Sequence, residues 1–254
     1  MKTISNIAYA PAHGERGLGD LYLPDNAAKA PVALAIHGGG WNAMDKASWA
    51  GVAQFICEQG FAVFNINYRL LDIAPWPACG DDCLAAAEFL LAGGHEAMGP
   101  LNRKSGLVVI GGSAGGHLTL MTGLRLAKGK CRGMVSVAGP TDLHIKIAEG
   151  RREQLQHFFG KEAVTEQMLF EASPISYVKP WSPPLLCTHS IHDKLVGIEH
   201  SKRMIKFCHE VKARAELYAY PGPGEQHGIW IEGSDPHRLL PEIEQAIATF
   251  LKTV

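Results

Sequence analysis

The chain lacks the features that would send it to a membrane, to nucleic acid or to a disulfide framework. No apolar run approaches the roughly 18–20 residues that a spanning helix needs, and the first residues, Met1 to Ile7, carry no apolar core of a leader. The sequence therefore predicts neither a signal peptide nor membrane insertion. Net charge is −1, so no electrostatic argument favours nucleic acid or an anionic lipid surface. Charged residues are only 19% and aromatic residues only 8% of the composition. There are six cysteines, at 57, 79, 83, 131, 187 and 208, and several lie in apolar segments, as free buried thiols do. Cys79 and Cys83 are one helical turn apart, but no second pair or histidine completes a zinc pattern beside them. No metal or organic cofactor is expected, and a cytoplasmic location is the default.

What is present is an alternation of short apolar runs with amphipathic stretches over 254 residues. Residues 32–36, 61–66, 106–110, 133–137, 185–189 and 215–220 read as buried strands. Helices are expected over 47–59, 81–92, 116–121, 198–211 and 237–251, the second with acidic residues in its first turn. Such alternation predicts an α/β fold with a mainly parallel sheet covered on both faces. Residues 4–10 and 17–23 read as an antiparallel hairpin at one edge. The chain is expected to form one domain over 1–254. The stretch from 139 to 184 contains no convincing strand and is too long for a simple connection. It is expected to make a small cap-like excursion over the open end of the sheet, with short helices near 151–159 and 165–171. The closing helix 237–251 is a candidate surface for a homodimer.

Ligands of an open parallel sheet sit at the carboxyl ends of its strands, and polar motifs follow four of the predicted strands. Gly111-Gly112-Ser113-Ala114-Gly115-Gly116 sits between an apolar strand and a helix. A serine flanked by glycines at such a junction is the pattern of a nucleophile elbow, with a turn too tight for bulky neighbours. His37-Gly38-Gly39-Gly40-Trp41 follows the 32–36 strand, and its glycines let backbone N–H groups approach a developing oxyanion. Asp193 follows the 185–189 strand, and His227 lies after the 215–220 strand. A carboxylate at 193 can orient an imidazole at 227, which in turn can activate the Ser113 hydroxyl. Asp142, which also follows a strand, and Glu225, near the base, are the competing carboxylates. The order serine, acid, histidine is that of the α/β-hydrolase fold.

On these motifs, together with Asn67-Tyr68-Arg69-Leu70 and Ser173-Pro174-Ile175, the chain resembles α/β-hydrolase esterases. The likeness is to small bacterial carboxylesterases related to the hormone-sensitive-lipase group. It implies Ser113 as nucleophile, His227 as base and Asp193 as orienting acid. The oxyanion hole would come from the N–H groups of Gly39, Gly40 and Ala114. Two departures point to smaller relatives. Gly112 stands where that group has Asp, and residues 1–31 leave no room for its usual helical cap. These relatives include acetylxylan- or feruloyl-esterase-like carbohydrate-ester hydrolases and arylformamidases. The substrate expected is a small-molecule ester, short-chain or with a carbohydrate or aryl leaving group. An amide-cleaving arylformamidase is the alternative, and a hydrolase-fold binding protein without catalysis is a further one. A lipase fits less well, because 139–184 carries Lys146, Arg151, Arg152, Glu153 and Gln154 where an apolar lid would be needed. Trp41, Tyr68 and Trp181 are the aromatic candidates for the pocket wall.

Overall fold

A computed structural model describes residues 1–148, 150–222, 227, 229–230 and 233–254. The chain forms an eight-stranded sheet. In chain order the strands are β1 (Lys2–Ala8), β2 (Leu18–Leu23), β3 (Pro31–Ile36), β4 (Ala62–Ile66), β5 (Asn102–Gly112), β6 (Cys131–Val137), β7 (Leu185–Ser190) and β8 (Ala215–Tyr220). Their spatial order is β1-β2-β4-β3-β5-β6-β7-β8. The pairs β1·β2 and β2·β4 are antiparallel, and every pair from β4·β3 onward is parallel. The hairpin and the parallel block both fall where the apolar runs place them. The hairpin's link is a 3-10 segment, Pro11–Gly17.

Alternation along the strands divides the core into two layers. Val32, Leu34 and Ile36 of β3 join one layer with Phe64, Leu107 and Val109. Ala33 and Ala35 join the other with Val63, Val108 and Ile110. The first layer is closed by helices α2 (Ala78–Ala92), α3 (Ala114–Arg125) and α7 (Glu199–Glu210). The second is closed by α1 (Ala50–Glu58) and α8 (Pro241–Leu251). A strand buried on both faces must be apolar at every position, which is why these segments read as continuous runs rather than alternating ones. All six cysteines are free and buried within these layers. Among the described residues no helix is long and apolar enough to cross a membrane.

The stretch from 139 to 184 holds α4 (Leu143–Ala148), α5 (Arg152–Phe159), α6 (Glu166–Glu171) and a 3-10 turn, Pro174–Tyr177. It is docked by Phe158, whose ring lies 4.8 Å from Trp41 and 5.2 Å from Trp76. His117 of α3 reaches the same segment, with Nε2 donating to the Ala172 carbonyl at 2.8 Å. Asp82 on α2 holds the segment after β4. It accepts from the Arg69 guanidinium at 2.6 and 2.9 Å and from the Arg69 amide at 2.8 Å. A buried carboxylate met in this bidentate way keeps its charge satisfied.

Three fully buried histidines bear on stability. Burial lowers the pKa of His37 and His117 to about 4 each, and that of His200 to about 3 with the Lys146 charge adding to the effect. The folded state thus refuses protons that the unfolded chain accepts near 6.5, so stability is complete above that pH and is lost as pH falls towards 4. Urea midpoints are expected to be flat above about pH 7 and to fall below 6.5 with a slope of up to three protons, and replacing His200 with Gln should lower that slope by about one. A Cβ at Gly115 would sit 2.3 Å from the Ile36 carbonyl oxygen and 2.4 Å from that of His37. Gly115→Ala is therefore expected to cost about 1–3 kcal/mol in urea unfolding.

Candidate active site

Ser113 is the single residue between β5 and α3, with φ 55° and ψ −122°. A non-glycine residue at positive φ costs roughly 1–3 kcal/mol and persists only when its surroundings over-determine it. Here they do. The Ser113 amide donates to the Val137 carbonyl at 2.8 Å. A Cβ at Gly111 would lie 2.4 Å from the Gly115 carbonyl oxygen, and one at Gly112 would lie 2.4 Å from the Trp49 ring. The glycines of the motif are thus required by close approach on both sides. Ala114 opens α3, so its N–H has no intrahelical partner and stands at the positive end of the helix dipole.

Residues 37–40 leave β3 beside this elbow, because Ile36 pairs with Gly111 across the parallel β3·β5 ladder. Gly39 and Gly40 adopt φ of 95° and 60°. The Gly39 carbonyl accepts from the amides of Asn42 and Ala43, both at 3.0 Å, closing the loop on itself.

The candidate acid and base follow the two strands at the far side. Asp193 lies in the loop after β7 with its carboxylate fully buried. Its Oδ1 accepts from the amides of Leu195 and Val196, each at 2.9 Å. Its Oδ2 accepts from His227 Nδ1 at 2.7 Å, with His189 Nε2 3.5 Å away. Burial opposes the charge, but the bonds from His189 and His227, the His227 charge and the Val196 amide outweigh it. They hold the carboxyl well below the usual carboxylate range. With Nδ1–H committed to Asp193, the His227 lone pair is at Nε2, which has no hydrogen-bond partner among the described residues.

Ser113, His227 and Gly38–Gly40 line one cavity of about 300 Å³, walled by the apolar side chains of Met44, Trp49, Leu195, Ile229 and Trp230. Larger clefts exist, of about 510 Å³ beside Trp76, about 450 Å³ beside Tyr218 and about 410 Å³ beside Asp142, but none of these contains the elbow. Of the competing carboxylates, Asp142 is engaged by other side chains. It is buried between His144 Nδ1 at 2.9 Å and Arg203 Nε at 3.1 Å. Glu225 lies outside the described residues.

The three aromatic residues expected at the pocket wall are elsewhere. Trp41 is buried under α5 against Phe158, with Nε1 donating to His117 Nδ1 at 3.3 Å. Tyr68 is fully buried behind the glycine loop, stacked on His37 at 4.3 Å. Trp181 is exposed, with Lys128 over its ring. An aromatic residue near a motif in sequence faces the core as readily as the ligand, and these face the core or the solvent. The walls that sequence reasoning missed, Ile229 and Trp230, lie two and three residues after His227, a proximity that could have flagged them. Trp49 carried no comparable signal, since it reaches the elbow only through the packing of its ring over Gly112. Among the described residues no cluster of three His, Cys, Asp or Glu side chains is arranged to hold a metal ion.

Comparison with known proteins agrees with this frame. Esterase LipQ of Mycobacterium tuberculosis is 27% identical over 98% of this chain and 62% of its own length. Dipeptidyl aminopeptidase BIII of Pseudoxanthomonas mexicana is 24% identical over 80% of this chain and 31% of its own. The chain thus spans from under a third to under two-thirds of the length of these curated relatives. A solved structure, a truncated carbohydrate esterase from gut microbiota, superposes with a TM-score of 0.84 at 21% identity, covering 100% of this chain and 96% of that one. At that identity the likeness speaks for the fold, which is that of the α/β-hydrolases. The BD-FAE family model matches residues 19–207, about three-quarters of the sequence. The chain belongs to the BD-FAE family.

Proposed function

We propose that the protein is a serine carboxylic-ester hydrolase acting through an acyl-enzyme. The observation that carries this reading is His227. It is held by Nδ1 on a buried carboxylate, with its second nitrogen unpaired among the described residues, in the same cavity as a strained elbow serine. In this reading Ser113 attacks the ester carbonyl while His227 Nε2 takes its proton. The N–H groups of Gly39, Gly40 and Ala114 hold the oxyanion. The imidazolium, balanced by Asp193, then protonates the leaving alcohol, and water activated by the same base releases the acid.

The substrate class we favour is a small ester, short-chain or carrying a carbohydrate or aryl group. Support comes from a cavity of about 300 Å³ with apolar walls, enough for a small acyl group or a ring. The name of the gut-microbiota neighbour points the same way. We read residues 1–254 as one domain whose 139–184 stretch acts as a small cap. The six buried free thiols support a reducing, cytoplasmic compartment.

Ser113→Ala is expected to lower kcat on p-nitrophenyl acetate by on the order of 10⁶-fold, because nucleophile and base act as a unit. Turnover equal to that of the native protein would reject the assignment. Asp193→Asn should cost about 10⁴-fold, whereas Asp142→Asn should stay within a few-fold of the native rate. A panel of acetylated xylan, feruloyl esters, N-formyl aryl amides and long-chain esters separates the esterase from the formamidase reading. Because Asp193 is held ionised far below neutrality, the acid limb of log kcat/KM is expected to have unit slope, with no second proton entering near pH 4.

A further inference from the structure

Tyr68 follows β4, the parallel neighbour of β3 in which Ile66 pairs with Ile36. That register sets its side chain behind the glycine loop rather than in front of it. Its hydroxyl donates to the Gly38 carbonyl at 2.9 Å and lies 3.1 Å from the His37 carbonyl. The His37 ring, stacked on Tyr68 with an interplanar angle of 13°, donates Nδ1–H to the same Gly38 carbonyl at 2.8 Å. The oxygen of Gly38 is therefore held by two donors, both from side chains with no exposed surface.

The peptide joining Gly38 to Gly39 is trans, since the only cis bonds among the described residues precede Pro77 and Pro236. In a trans peptide the C=O and N–H point in opposite directions. Anchoring the Gly38 oxygen towards the core consequently turns the Gly39 N–H away from it, to the side where Gly39 lines the cavity. The next peptide is set in the same manner, but by the backbone itself, through the Asn42 and Ala43 amides on the Gly39 oxygen. The two donor peptides thus have different guardians. The second closes its own turn. The first lies between two glycines, whose dihedral freedom would let it rotate, and depends on side chains.

We propose that Tyr68 is a positioning residue of the oxyanion hole, its hydroxyl gripping the Gly38 carbonyl so that the Gly39 N–H faces the reacting carbonyl. This rests on the reading of Ser113 as nucleophile. The phenol never meets substrate. It acts through the peptide plane it holds, and it matters most when negative charge develops on the bound carbonyl oxygen.

The test is Tyr68→Phe, which keeps the ring on His37 and removes only the hydroxyl. Deleting an oxyanion donor costs about 10²–10³-fold in kcat; loosening one is expected to cost about 10–100-fold, with KM within about two-fold. The Ki of an aryl trifluoromethyl ketone, which binds as a tetrahedral oxyanion, should rise by the same factor as kcat/KM falls. The pH of the acid limb should not move, because His227 and Asp193 are untouched. Rates are referred to active sites counted by phosphonate titration, so that a fall in folded protein alone cannot imitate the effect. His37→Phe removes the other donor and is measured by the same readouts, carrying the test if Tyr68→Phe does not fold. The double variant should be less impaired than the product of the singles, since both act on one carbonyl. Native kcat and native Ki per titrated site in Tyr68→Phe, with Ser113→Ala inactive, would overturn this inference alone. An active Ser113→Ala would overturn the reading beneath it.

Discussion

The site depends first on the adjacency of β3 and β5. These two strands run parallel with Ile36 opposite Gly111, so the residues that follow each of them leave the sheet at one level. The glycine loop and the elbow serine then face each other with nothing between. A Cβ at Gly38 would lie 3.0 Å from the Gly112 carbonyl oxygen and 3.4 Å from the Ser113 Cβ. A one-residue slip of that ladder would exchange the faces of every side chain on β3 and break the two-layer core. The register that packs Val32, Leu34 and Ile36 is the same register that aligns the loop with the serine.

The second constraint is electrostatic. Asp193 is a buried carboxylate, and a buried charge is tolerated only when its oxygens are met by donors. The Leu195 and Val196 amides satisfy one oxygen and His227 satisfies the other, so satisfying the carboxylate and orienting the imidazole are one arrangement. His189 stands behind it, bonded to the Ser201 hydroxyl at 2.7 Å and the Val196 carbonyl at 2.8 Å. The loop that presents Asp193 is thereby tied to both β7 and α7.

Much of this was legible because the local chemistry is restrictive. A strand buried on both faces must be apolar throughout, so the parallel block was readable as runs. A turn as tight as 111–115 excludes side chains, so its glycines were visible. The order of Ser113, Asp193 and His227 follows the strand order, so three residues far apart in the chain could be grouped. The orientation of large side chains beside the motifs was not legible. Trp41 and Tyr68 sit next to functional loops in sequence, yet their direction is set by which layer their backbone faces, and that depends on partners such as Phe158 and His37. Trp49 was missed for the converse reason, since it approaches the elbow through the packing of its ring over Gly112 and not through sequence neighbourhood. The choice between Asp142 and Asp193 needed coordinates for a similar cause. Both follow strands and both meet a histidine ring, but Asp193 meets His227, which lines the cavity with Ser113, whereas Asp142 is held by His144 and by Arg203 on α7.

The strand order has a consequence for when the candidate site is complete. Ser113 directly follows β5, the fifth strand of the sequence, whereas Asp193 and His227 follow β7 and β8, the last two strands of the sequence and the outer pair at one edge. The hairpin and the β3–β5 centre are complete in the sequence before Asp193 and His227 are reached. Parallel pairing of distant segments is slow, because chain closure must precede the contacts that reward it. Ser113, Asp193 and His227 can therefore share one site only once β8 is in place.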